Sequence, residues 1–234
     1  MSFDPGVFTI GNLSFLLEGF LTTLRLAMLG IFFSFWMGVT AAIARLSKHA
    51  WLHYPAVVYI EGIRGVPLIM VIIWFYFFTP VFTGRPLENF TSALVAFVIF
   101  YGAYLAEDVR SGIQSVPVGQ LQAARSTGLT TFQMLCYIVL PQAVRNILPS
   151  LVTRFIILFK DTSLAYVIGV RELTHSAYVI SQREFRPFEL YALIAVIYWL
   201  CTFSMSQLAR QLETWLTPHG ADGRSRLGQR AARA

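Results

Sequence analysis

The chain has 234 residues, of which 56% are hydrophobic and only 13% charged, and its formal net charge is +6. Soluble domains run nearer a quarter charged, so this composition excludes an ordinary soluble enzyme or binding module. The basic residues are spread over loops and a tail, where anionic lipid headgroups are the ordinary partner and nucleic acid is not.

Four stretches carry no Lys, Arg, Asp or Glu: Leu26–Ala44, Gly65–Gly84, Asn89–Ala106 and Leu190–Ala209. Each is close to the ~20 residues a helix needs to cross the hydrocarbon core. Short alternating strands, the mark of a membrane barrel, are absent. The pattern predicts an all-α membrane protein. The first apolar span begins too late for a signal peptide and lacks its basic start and small-residue cleavage site, so a permanent anchor is expected.

In chain order, residues 1–15 are expected outside the membrane. Five transmembrane helices are expected over about 16–45, 57–82, 90–112, 143–168 and 188–212. In the first, Gly30, Ser34 and Gly38 share a helical face and predict close packing inside the chain, with a dimer seam as the alternative. In the second, Gly65 and Pro67 predict a kink, with a hinge as the alternative. Trp74, Phe75, Tyr76, Phe77 and Phe78 predict an interfacial belt, with a cavity wall as the alternative. Glu61 and Arg64 have the spacing of an exposed ion pair. His49 and His53 have no third metal ligand in evidence. Glu107, Asp108 and Arg110 predict a solvated helix end. Cys136 and Cys201 lie in separate apolar stretches and predict small core residues. Residues 213–234 are small and basic and predict a disordered tail.

The segment between the third and fourth spans is too long and too patterned for a connector. Ser115 can cap a short helix with Pro117 in its first turn, and Gly128 is placed to stop it. Thr130 and Gln133 have capping-box spacing for a second helix running to Pro141. Lys and Arg in the 45–64 loop, the 107–145 loop and the tail outnumber those on the other side eleven to five. The loop is therefore expected in the cytoplasm, with the N-terminus outside and the C-terminus inside. A docking surface for a partner and an interfacial helix lying on lipid are the two readings.

The pattern Gln122-Ala123-Ala124, Gly128 and Ile138-Val139-Leu140-Pro141 resembles the EAA loop of bacterial ABC-importer permeases, with Gln122 in place of the leading Glu. The stretches Ile63–Leu68, Arg110–Pro117, Leu140–Ala143 and Lys160–Leu164 are similar to permeases for polar amino acids, and the run PLIMVIIWFYF to those for glutamate and aspartate. The resemblance covers nearly all of 16–212, the expected type-1 permease domain. It implies a bacterial inner-membrane subunit that packs against a second permease chain, identical or sister. The coupling helix of this loop would sit in a groove on an ABC ATPase subunit, and an extracytoplasmic binding protein would deliver the amino acid. It implies coupling roles for Gln122, Ala123, Ala124, Gly128, Ile138, Leu140 and Pro141. The chain contains no G-x-x-x-x-G-K-[ST], so ATP and magnesium belong on the partner and no cofactor is expected here.

The fourth span carries Arg154, Lys160 and Asp161, charges that cost roughly 3 kcal/mol each in lipid and so face protein or water. Arg154 and Asp161 share a face; Lys160 is about 100° round from Asp161. One reading is structural, with snorkelling or local pairing. The other, extended to Thr162 and Ser163, places them on the substrate pathway, with Asp161 for an ammonium and Arg154 or Lys160 for carboxylates. Two cations and one anion suit an acidic amino acid. Another polar amino acid such as glutamine, arginine or histidine, and an ion-coupled secondary transporter, are the alternatives. No nucleophile, base and metal-ligand set supports a membrane enzyme.

Overall fold

The computed structural model describes residues 5–7 and 9–216. Among these every regular element is a helix, joined by short turns. A short 3-10 turn, Pro5–Val7, precedes α1 (Ile10–Leu46), α2 (Ala50–Arg64), α3 (Leu68–Thr83), α4 (Asn89–Gln114) and α5 (Val118–Ser126). Then come α6 (Thr131–Met134), α7 (Leu140–Asp161), α8 (Leu173–Glu184) and α9 (Pro187–Leu216).

α1 starts where the Thr9 hydroxyl accepts the Asn12 N–H, and at 37 residues it is about 55 Å long. It lies parallel to α4, with the small face turned inward. The Ser34 hydroxyl donates to the Phe97 carbonyl at 3.3 Å. A Cβ on Gly38 would sit 2.7 Å from Leu105 Cβ and 3.0 Å from Ala106 N. The stripe is thus a packing seam within the chain. Such seams hold membrane helices through van der Waals contact, because lipid offers them no hydrophobic gain. The core beside it is built from Leu26, Ile72, Phe97, Tyr101, Leu158 and Phe159.

Three described helices, α1, α4 and α9, are long and apolar enough to cross a membrane; a fourth counts if α2 and α3 form one span. The expected helix over 57–82 is corrected. It is two helices meeting at 112°, because Pro67 has no N–H to continue the ladder and starts α3 instead. The expected span over 143–168 ends as α-helix at Asp161 and continues as a 3-10 segment, Thr162–Ile168, to a left-handed Gly169. Arg145, Arg154, Lys160 and Asp161 make α7 more polar than α1, α4 and α9. The connection between the fourth and fifth expected spans contains α8. The tail from 213 begins inside α9, and residues 217–234 lie outside the described residues.

Candidate functional site

The patterned segment folds as a short helix, a sharp stop and a return. α5 begins after Pro117, whose missing N–H would be unpaired in a first turn anyway. The expectation that Ser115 caps it is corrected. The Ser115 hydroxyl donates to Gly112 O at 2.7 Å and accepts from Asn146 Nδ2 at 2.7 Å, so it ties α4 to α7. Gly128 stops α5 at φ 79°, a conformation glycine takes without Cβ strain. The Gly128 N–H reaches Arg125 O at 3.0 Å and the Leu129 N–H reaches Ala124 O at 3.3 Å, so the last carbonyls are satisfied.

Thr130 and Gln133 form the expected capping box: each side chain accepts the other's backbone N–H, at 3.3 and 2.9 Å. The helix that follows does not end at Pro141. It passes through a π-helical turn, Leu135–Val139, into α7, with Leu140 N–H bonded to Leu135 O. A π turn re-spaces the ladder where Pro141 cannot donate. Gln142 Nε2 takes up the Ile138 carbonyl at 2.8 Å and reaches Gln120 Oε1 on α5 at 2.5 Å.

The result is an elbow fixed to the long helix. Thr131 to Asp161 is one continuous rod, and Gly112 packs so tightly on Ile147 that a Cβ there would lie 2.3 Å from Ile147 Cγ1. Gln122, Ala123, Gly128 and Pro141 are exposed, Leu140 is 42% exposed, Ile138 is half-buried and Ala124 is buried. Val118, Phe132 and Tyr137 are also exposed on this elbow. A hollow of about 300 Å³ lies inside it, against Ala123, Ala124, Thr127, Leu129 and Ile138.

The charges of α7 are less free than expected. Arg154 Nε and Nη2 grip Asp108 Oδ2 and Oδ1 at 2.8 and 3.2 Å, and its guanidinium lies 4.8 Å from the Tyr104 ring centre. Tyr101 donates to Asp161 Oδ2 at 2.5 Å. Thr162 is buried, its hydroxyl turned to Phe159 O at 2.7 Å, and Ser163 is half-buried. Lys160 is exposed and makes no hydrogen bond or ion pair among the described residues. The structure therefore joins Arg154 and Asp161 to α4 and leaves Lys160 apart.

The expectation of a solvated end at Glu107, Asp108 and Arg110 is corrected. Besides the Asp108–Arg154 pair, Glu107 joins Arg110 and also Arg45, at 3.1 Å, and Arg45 reaches Glu61 at 2.8 Å. Glu61 lies 3.9 Å from Arg64, so the expected pair is the weaker of its two contacts. A His53 ring nitrogen lies 2.6 Å from Arg45 O. The aromatic run divides: Trp74, Phe77 and Phe78 are exposed, whereas Phe75 and Tyr76 pack on the core. Cys136 and Cys201 are free and half-buried.

Sequence reasoning missed Glu172. Fully buried ahead of α8, it accepts from Thr174 N at 2.8 Å, His175 N at 2.7 Å and Tyr198 Oη at 3.2 Å. Burial pushes its carboxyl up to about 7, against the pull of these donors. Burial and the Arg171 charge lower the pKa of the neighbouring His175. No local pattern marks Glu172, because glutamate is not a favoured helix cap and its other partner is on α9.

Residues 15–218 match the family described as "Binding-protein-dependent transport system inner membrane component". GlnP of Bacillus subtilis, a probable glutamine ABC transporter permease, is 40% identical over 211 residues, 89% of this chain and 96% of that protein. GltK of Escherichia coli, a glutamate/aspartate import permease, is 35% identical over 211 residues, 87% of this chain and 94% of that one. The crystal structure of an amino acid ABC transporter with histidines superposes at TM-score 0.86 with 34% identity, covering 92% of this chain and 99% of that one. A methionine ABC transporter in an inward-facing conformation shares the fold at TM-score 0.71 and 19% identity. This chain belongs to the family of inner-membrane components of binding-protein-dependent transport systems.

Proposed function

We propose that the chain is the permease subunit of an ABC importer for a polar amino acid whose side chain ends in a carboxylate or carboxamide. α7 serves as a further span, its charges facing protein rather than lipid. The elbow faces the cytoplasm, the N-terminus lies outside and the C-terminus inside. A second permease chain packs beside it, an ATPase subunit receives Gln122–Gly128, and an extracytoplasmic binding protein delivers the substrate. The observation that carries this reading is the elbow: the exposed helix α5, stopped at Gly128, is followed by a second helix that is capped at Thr130 and continuous through Ile138–Pro141 with a rod holding Arg154 and Asp161. A stiff connection of this kind passes a displacement from one site to another.

An acidic substrate calls for Arg154 and Lys160 as two available cations. Arg154 is neutralised by Asp108, whereas Asp161 is bonded only by the uncharged Tyr101 hydroxyl, so Lys160 and Asp161 are the charges left without an ionic partner, the complement of a zwitterion with an uncharged side chain. That favours glutamine, and glutamate or aspartate is the second reading, supported by the likeness to GltK. The test is uptake by proteoliposomes holding this chain with its ATPase and binding protein. Uptake that needs ATP and both partners, and is competed best by glutamine, supports the reading. Uptake by the chain alone, driven by an ion gradient, contradicts it.

A further inference from the structure

At the end of the molecule away from the elbow, α1, the turn before α4 and the segment after Gly169 enclose a cleft of about 660 Å³. Arg25 and Arg171 both line it, both are exposed, and neither makes a hydrogen bond or ion pair among the described residues. Glu88 lines it too, so the cleft carries one net positive charge. Arg25 is the residue just before the charge-free stretch Leu26–Ala44, which places its guanidinium at the edge of the hydrocarbon. Leu29, Phe32, Phe33 and Trp36 follow Arg25 at helical spacing, 39%, 55%, 46% and 55% exposed. A cationic cleft thus opens onto an apolar stripe along one helix.

We propose that this cleft and stripe bind one anionic phospholipid of the leaflet remote from the elbow. The phosphodiester takes the two guanidiniums, the Asn89 amide beside them suits a remaining headgroup oxygen, and an acyl chain lies along Leu29 to Trp36. A guanidinium fits a phosphate with paired donors, and the stripe supplies what a free anion would not use. The charge complementarity and the depth of Arg25 favour a lipid over an acidic protein surface. The site goes beyond the transport reading, and its failure leaves that reading intact.

Trp36 reports on the stripe. With the transporter in nanodiscs, its signal is isolated as the difference between the native chain and Trp36→Phe. Brominated phosphatidylglycerol is expected to quench it about five-fold more effectively than brominated phosphatidylcholine at equal mole fraction. Arg25→Gln with Arg171→Gln removes the preference, and Glu88→Gln raises it. Excess inorganic phosphate leaves it unchanged. Equal quenching by the two lipids, a preference that survives loss of both arginines, or displacement by inorganic phosphate or by the binding protein would each overturn the proposal.

Discussion

Asp108 and Arg154 are 46 positions apart and meet through two hydrogen bonds of 2.8 and 3.2 Å, with side chains 13% and 27% exposed. Removing one partner of a buried ion pair costs roughly 3–5 kcal/mol, whereas exposed pairs contribute about 0–1. These exposures lie nearer the buried limit, and the Tyr104 ring 4.8 Å away holds part of the Arg154 charge when Asp108 is lost. A coupling of about 2 kcal/mol is therefore expected. The assay is a double-mutant cycle with Asp108→Ala, Arg154→Ala and both, using reversible unfolding in mixed micelles followed by tryptophan fluorescence. The double variant should be no less stable than the worse single one. Additive losses, with a coupling below about 0.5 kcal/mol, would refute the pairing and return Arg154 to the pool of free cations.

Gly38→Ala should destabilise the chain by about 1–3 kcal/mol, since its Cβ would meet backbone on α4, while Gly30→Ala, with 3.4 Å to Leu158, should cost far less in the same assay. Gly128→Ala meets no neighbour but strains a φ of 79°, costing roughly 1–2 kcal/mol at the elbow; ATP-driven uptake should fall more than folding does, and Gly128→Asn should be milder. Glu172 is raised to about 7 in the folded chain, so the native state holds a proton that the unfolded state releases earlier. Stability from this group then declines as pH rises from about 4.5 through 7, and the advantage of the native chain over Glu172→Gln should shrink over that window in thermal unfolding. A gap that widens with pH would reverse the assignment.

Much of the elbow was legible because its signals are local. Gly128 as a stop and the Thr130–Gln133 box depend on residues within one turn of each other. The break between α2 and α3 was half legible: Gly65 and Pro67 mark an interruption, but a bend of 112° is set by Ile60 packing on α1 and α4 and by Leu68 and Ile72 packing on the core. Pro55, Pro80 and Pro149 are all inside helices, so proline alone does not locate an end here. Neighbouring helices, side chains and local π adjustments re-satisfy such freed backbone groups. The charged seam was illegible for a different reason. Tyr101–Asp161 and Asp108–Arg154 join residues 60 and 46 positions apart, and no periodicity reports such pairs.

The most direct test of the stiff elbow is a distance within one chain as the transporter cycles. With Cys136 and Cys201 replaced by Ser, spin labels at Gln122→Cys and Thr153→Cys report on the elbow and on α7. The separation should stay narrow and constant to within about 2 Å between nucleotide-free and ATP-bound states, while the distance from Gln122 of one permease chain to the other changes. An intrachain distance that broadens or shifts with ATP would show a flexible connector, and the lever account would be wrong.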